Sequence, residues 1–118
     1  MIRCSLLART LFTGGLLIGA MPARADETKV TIDNFTFSPP EITVTAGTRV
    51  TWTNRDDIPH TVTQSGTPRL MRSPPLDTGD TFDFTFDKPG EYRYFCSLHP
   101  HMQGVVVVVV QEAPGKQS

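Results

Sequence analysis

From residue 26 onward the chain alternates. Ile42, Val44 and Ala46 are separated by Thr43 and Thr45, and Val50, Trp52 and Asn54 by Thr51 and Thr53. Phe82, Phe84 and Phe86 are separated by Asp83 and Thr85. Successive side chains of an extended strand point to opposite faces, so this period of two describes strands with one apolar and one polar face. Tyr92, Tyr94 and Cys96 share the inward face of another such run, and Val30 and Ile32 open the series. Pro and Gly punctuate it, as in Ser38-Pro39-Pro40, Ala46-Gly47 and Lys88-Pro89-Gly90. No later stretch carries the apolar repeat of a helix about ten residues long. Seven or eight short strands with turn residues between them predict an all-β domain, a sandwich or a barrel.

Three segments refine this. Thr61-Val62-Thr63 is a short strand candidate, and Gln64 to Thr78 reads as a long loop with room for one helical turn. Gly104 precedes six valines, Val105 to Val110, whose β-branched side chains suit a strand covered on both faces.

Residues 1–25 have the layout of a secretory signal. Met1 to Arg9 is basic, Thr10 to Ala20 is apolar, and Ala23-Arg24-Ala25 offers small residues at a cleavage site before Asp26. The apolar stretch is about ten residues, short of the roughly 20 that span a bilayer. The expected mature chain is therefore 26–118, exported to the periplasm and not membrane-embedded. It has 8 basic and 12 acidic side chains, a formal charge of −4. Such a balance argues against nucleic acid as a partner. Cys4 leaves with the signal, so Cys96 has no disulfide partner in an oxidising compartment and must be buried or coordinated.

Its neighbours favour coordination. Cys96-Ser97-Leu98-His99-Pro100-His101-Met102 sets a thiol, an imidazole and a thioether at i, i+3 and i+6 between two strands. These soft donors favour copper over calcium or magnesium, which need oxygen, and a thioether is a poor zinc ligand. A trigonal site needs a second imidazole. Of the three histidines, His60 sits just before a strand and can reach the same pole, whereas His101 would diverge from His99. We read His60 Nδ1, Cys96 Sγ and His99 Nδ1 as equatorial donors and Met102 Sδ as the long axial one. Met71, in the Arg- and Pro-rich loop, reads as packing or rim, and His101 as solvent-facing.

The same residues carry a family resemblance. Asn34-Phe35-Thr36-Phe37-Ser38-Pro39, Ala46-Gly47, Val50-Thr51-Trp52-Thr53-Asn54, Pro59-His60-Thr61, Gly90 through Cys96 to His99, and Met102-Gln103-Gly104 follow one another as in the cupredoxins. The chain resembles these small blue copper proteins, especially the amicyanin and plastocyanin-like branch, over nearly all of 26–118. His101 stands where an apolar residue is usual, and residues 64–78 offer no match. The resemblance implies an eight-stranded Greek-key β-sandwich holding one type 1 copper ion. It also implies that the Asn54 side chain ties the His60 loop to the Cys96 loop.

Four side chains on a stiff sandwich leave no easily opened coordination position, which suits a one-electron carrier and not an enzyme. The alternative is a periplasmic copper-binding or delivery protein with no redox task. A multicopper enzyme would need more histidines than the chain has. Pro59 and Pro100, with Leu98, Pro39 and Met71, are candidates for an apolar rim around His99. Redox proteins are the expected partners of a monomer. By resemblance alone these are a dehydrogenase donor and a c-type cytochrome or oxidase acceptor. Phe35, Phe37, Trp52, Phe82, Phe84, Tyr92 and Tyr94 read as core or near-core, and Asp77, Asp80, Asp83, Asp87 and Glu91 as a solvated face.

Overall fold

A computed structural model describes residues 14–15 and 26–111. The expected signal, apart from 14–15, and the tail from 112 lie outside the described residues. Eight strands run in chain order: β1 Glu27–Asp33, β2 Thr36–Ser38, β3 Glu41–Thr45, β4 Thr48–Asn54, β5 Thr63–Gln64, β6 Thr81–Phe86, β7 Gly90–Cys96 and β8 His99–Val109. There is no helix among the described residues, and the helical turn allowed for in the 64–78 loop is not there. Bridges His60↔Leu76 and Thr63↔Arg72 hold that loop back on the strand before it.

The strands form two four-stranded layers, in the orders β2-β1-β4-β6 and β3-β8-β7-β5. β1 pairs parallel with β4, and β3 with β8, while the other ladders are antiparallel. A parallel pair cannot be closed by a tight hairpin. The chain therefore changes layer between β2 and β3 and again between β3 and β4. Of the sandwich or barrel that the alternation allows, the sandwich implied by the resemblance is present.

The facing sides meet on aromatic rings. Trp52 lies 5.4 Å from Tyr94, 5.9 Å from Phe82 and 6.4 Å from Phe86, centroid to centroid, and Phe37 lies 4.7 Å from Tyr94. These contacts join β2, β4, β6 and β7; the Trp52–Tyr94 and Phe37–Tyr94 pairs are edge-on, a geometry that adds about 0.5–1.5 kcal/mol each beyond the area they bury. Burial pushes the Tyr94 phenol up to about 12. Gly104 stands opposite Tyr94 in the ladder, and a Cβ there would collide with the Tyr94 ring and come within 2.9 Å of Cε1. The glycine is thus required by close approach.

Two expectations change here. The valine run is buried on one face only: Val106 and Val108 are in the core, Val105 and Val107 are half-buried, and Val109 and Val110 are exposed. A strand central in its layer is flanked by neighbours in the plane, which does not cover its outer face. Also, β8 begins at His99, well before Gly104. Ser97 and Leu98 make a two-residue turn with Cys96 opposite His99, so the ligand segment is a continuation of the hairpin, with a register irregularity at Phe95/Cys96.

A second tight turn matters later. Asp33 pairs with Thr36, leaving Asn34 and Phe35 as a two-residue hairpin loop with φ of 48° and 56°. Type I′ turns need positive φ at both central positions and favour Asn-Gly. Asn34 tolerates that conformation, but a Phe in the left-handed region costs about 1–2 kcal/mol.

Candidate metal centre

At one pole of the sandwich, three elements converge. The β7–β8 hairpin brings Cys96 and His99, and the segment before β5 brings His60. Cys96 and His60 are fully buried, and His99 is half-buried. Their donor atoms all lie within 4.8 Å of one another. Cys96 Sγ is 3.8 Å from His60 Nδ1 and 3.7 Å from His99 Nδ1. An ion bonded at about 2.3 Å to sulfur and 2.0 Å to nitrogen, at trigonal angles, sets those atoms about 3.7 Å apart. The donors present fit a single first-row ion. Met102 is buried on the same hairpin, sharing the inward face with Val106 and Val108.

The geometry of each donor has a local cause. His60 Nε2 is 2.8 Å from Asp56 Oδ2, and the same oxygen accepts the Phe35 N–H at 3.1 Å. The bond from His60, then that from Phe35, holds Asp56 down at about 2. The carboxylate is therefore ionised at neutral pH and accepts the Nε2 proton. That tautomer leaves the lone pair on Nδ1, facing Cys96 Sγ. The sulfur accepts the Thr61 N–H at 3.3 Å. Thr61 Oγ1 lies 3.9 Å from the same sulfur and accepts the Ser97 N–H at 2.8 Å. Thr61 thus joins the His60 segment to the Cys96 turn.

This corrects the expectation for Asn54. Its Nδ2 donates to Ile58 O at 2.9 Å and Leu76 O at 2.7 Å, and its Oδ1 accepts the Asp56 N–H at 2.9 Å. Asn54 braces the 55–60 loop against the 64–78 loop, and Thr61 makes the link to the sulfur. Met71 is fully buried in the core and is no part of a rim. Pro39, Pro59, Leu98 and Pro100 are exposed, as is His101. Phe35, expected near the core, is 51% exposed.

Asp56 and Thr61 were missed as functional residues. An acid four residues before a candidate ligand is a usable signal for Asp56. The backbone N–H of Thr61 has no signature in its residue type.

The depressed Asp56 pKa has a consequence for the metal-free protein. Its folded value lies below the ordinary carboxylate value of about 4, so its contribution to stability is whole above about pH 4. That contribution is lost as pH falls towards about 2. Urea unfolding across this window will show a steeper loss in the native chain than in Asp56→Asn. Equal slopes would mean that Asp56 is not held ionised.

A family model described as a cupredoxin-like domain matches residues 6–108. The chain belongs to that family. Among curated relatives of this cupredoxin, amicyanin-alpha from Methylorubrum extorquens is 36% identical over 104 residues, covering 86% of this chain and 87% of the relative. A chloroplastic plastocyanin from Tetradesmus obliquus is 32% identical over 103 residues, covering 78% of this chain and 71% of its own. A purple cupredoxin from Nitrosopumilus maritimus superposes with a TM-score of 0.66 at 36% identity, over 70% of this chain and 99% of that one. The cupredoxin described here is thus of the amicyanin and plastocyanin branch.

Proposed function

We propose that this cupredoxin is a type 1 copper electron carrier, with His60, Cys96, His99 and Met102 as ligands. One observation carries this reading: two imidazole nitrogens lie 3.7 and 3.8 Å from a buried cysteine sulfur. Bound there, a copper ion supplies reversible one-electron chemistry between Cu(I) and Cu(II).

The protein's part is to hold the donors still. Asp56 fixes the His60 ring and its tautomer. Thr61 N–H steadies the Cys96 sulfur and draws charge from it, and the ladder on either side of the Ser97-Leu98 turn restrains His99. Donors that do not move between oxidation states keep reorganisation small. Surrounding apolar packing and the hydrogen bond to sulfur tune the potential.

His99 is the most exposed of the four donors, flanked in sequence by exposed Leu98 and Pro100. We place electron entry and exit there, through small, short-lived contacts with redox proteins. A dehydrogenase donor and a cytochrome or oxidase acceptor are the partners proposed for a monomer. Export by cleavage near Ala25 to the periplasm completes the reading. No helix among the described residues is long and apolar enough to cross a membrane. A carrier role, not an enzyme, fits a chain with three histidines of which two belong to this site.

Copper titration of the purified protein tests this. One equivalent should produce intense visible absorption that vanishes on reduction and returns on reoxidation. A colourless, weakly bound ion would sink the proposal.

A further inference from the structure

The geometry points to Phe35 as a positioning residue that holds His99 and His60 in their ligating arrangement, before and after metal binding. Its relevance to copper rests on the carrier reading above.

Three observations meet on this side chain. The Phe35 ring is edge-on to His60, 5.6 Å between centroids and 85° between planes, and to His99, 5.0 Å and 90°. The two imidazoles are themselves 5.0 Å apart, so three rings brace one another in a triangle. The Phe35 N–H donates to Asp56 Oδ2, the oxygen bonded to His60 Nε2. One residue thus reaches His60 through its ring and through the Asp56 carboxylate. The third observation is the backbone. Phe35 occupies a left-handed position (φ 56°) that a type I′ turn gives to Gly, directly after an Asn suited to it. It does so while half-exposed, so core burial does not repay the strain.

Backbone strain without burial is explained if the ring is needed where the turn puts it. His99 needs such a brace most. It sits at the end of a hairpin beside a two-residue turn, is half-buried, and among the described residues has no carboxylate partner of the kind that orients His60. An edge-on aromatic contact limits its rotation and keeps water from the gap between the imidazoles.

Phe35→Gly separates positioning from folding, because Asn-Gly is the turn's favoured pair. The metal-free variant should unfold at a temperature equal to or above that of the native chain. NMR cross-relaxation between the His99 ring and the Cys96 and His60 side chains should weaken in that metal-free variant. Cu(I) release to a chelator should quicken about tenfold, the usual scale for losing a group that orients a ligand. Phe35→Tyr should restore both. Undiminished cross-relaxation and native release in a folded Phe35→Gly would overturn the proposal, leaving Phe35 as mere surface. If the native protein took up no copper, the carrier reading would fail, and the metal-free NMR comparison would still decide the role of Phe35.

Discussion

Replacing Cys96 by Ser abolishes the intense visible absorption of the copper-loaded protein and leaves the sandwich folded. Cys96 is the free cysteine at the site, fully buried, with both Nδ1 atoms in reach of its sulfur. The absorption depends on charge transfer from a thiolate, and a hydroxyl is a harder donor that stays protonated at neutral pH. The fold survives because Ser Oγ can still accept from Thr61 N–H, so no buried donor is orphaned. Visible spectroscopy and far-UV circular dichroism on the same sample check both halves. Retained colour would remove the sulfur from the account.

Trp52→Ala costs about 4 kcal/mol of stability, the range for emptying a large buried aromatic. A small domain has only about 5–15 kcal/mol in total, so this is a large share of the whole. Trp52 is fully buried and touches Phe82, Phe86 and Tyr94, which belong to both layers. The cavity can close only if the two sheets shift inward, which the other rings packed between them resist. Trp52→Phe loses much less. Most of the ring remains, and it removes an indole Nε1–H that has no hydrogen-bond partner among the described residues. Urea unfolding of the metal-free variants measures the difference. Equal losses from Ala and Phe would show that ring volume is not what matters there.

Much of the site was legible because its signals are local. Cys96, His99 and Met102 lie in one short segment, and their donor types select copper wherever the segment goes. His60 was reachable because only three histidines compete. The side-chain roles were harder. Asn54 was correctly placed on the inward face of β4, yet its hydrogen bonds go to Ile58 and Leu76, since these are the carbonyls the loops bring to it. Met71 could as well have been rim as core, because a loop's course is set by long-range pairing such as the Thr63↔Arg72 bridge. Phe35 looked like core for a plain reason: large aromatics usually are.

By itself the sequence determined the all-β class and the donor chemistry, because a period of two and a set of donor elements are properties of neighbouring residues. Only the tertiary structure decided which hydrogen bonds orient those donors. Asp56 acts by closing on His60, Thr61 by presenting a backbone N–H to sulfur from 35 positions away, and Phe35 by turning through positive φ over two imidazoles. The Thr61 and Phe35 contacts join atoms remote along the chain or hidden in the backbone, and the short-range Asp56 contact depends on the course of its loop, so all three exist only once the chain has folded.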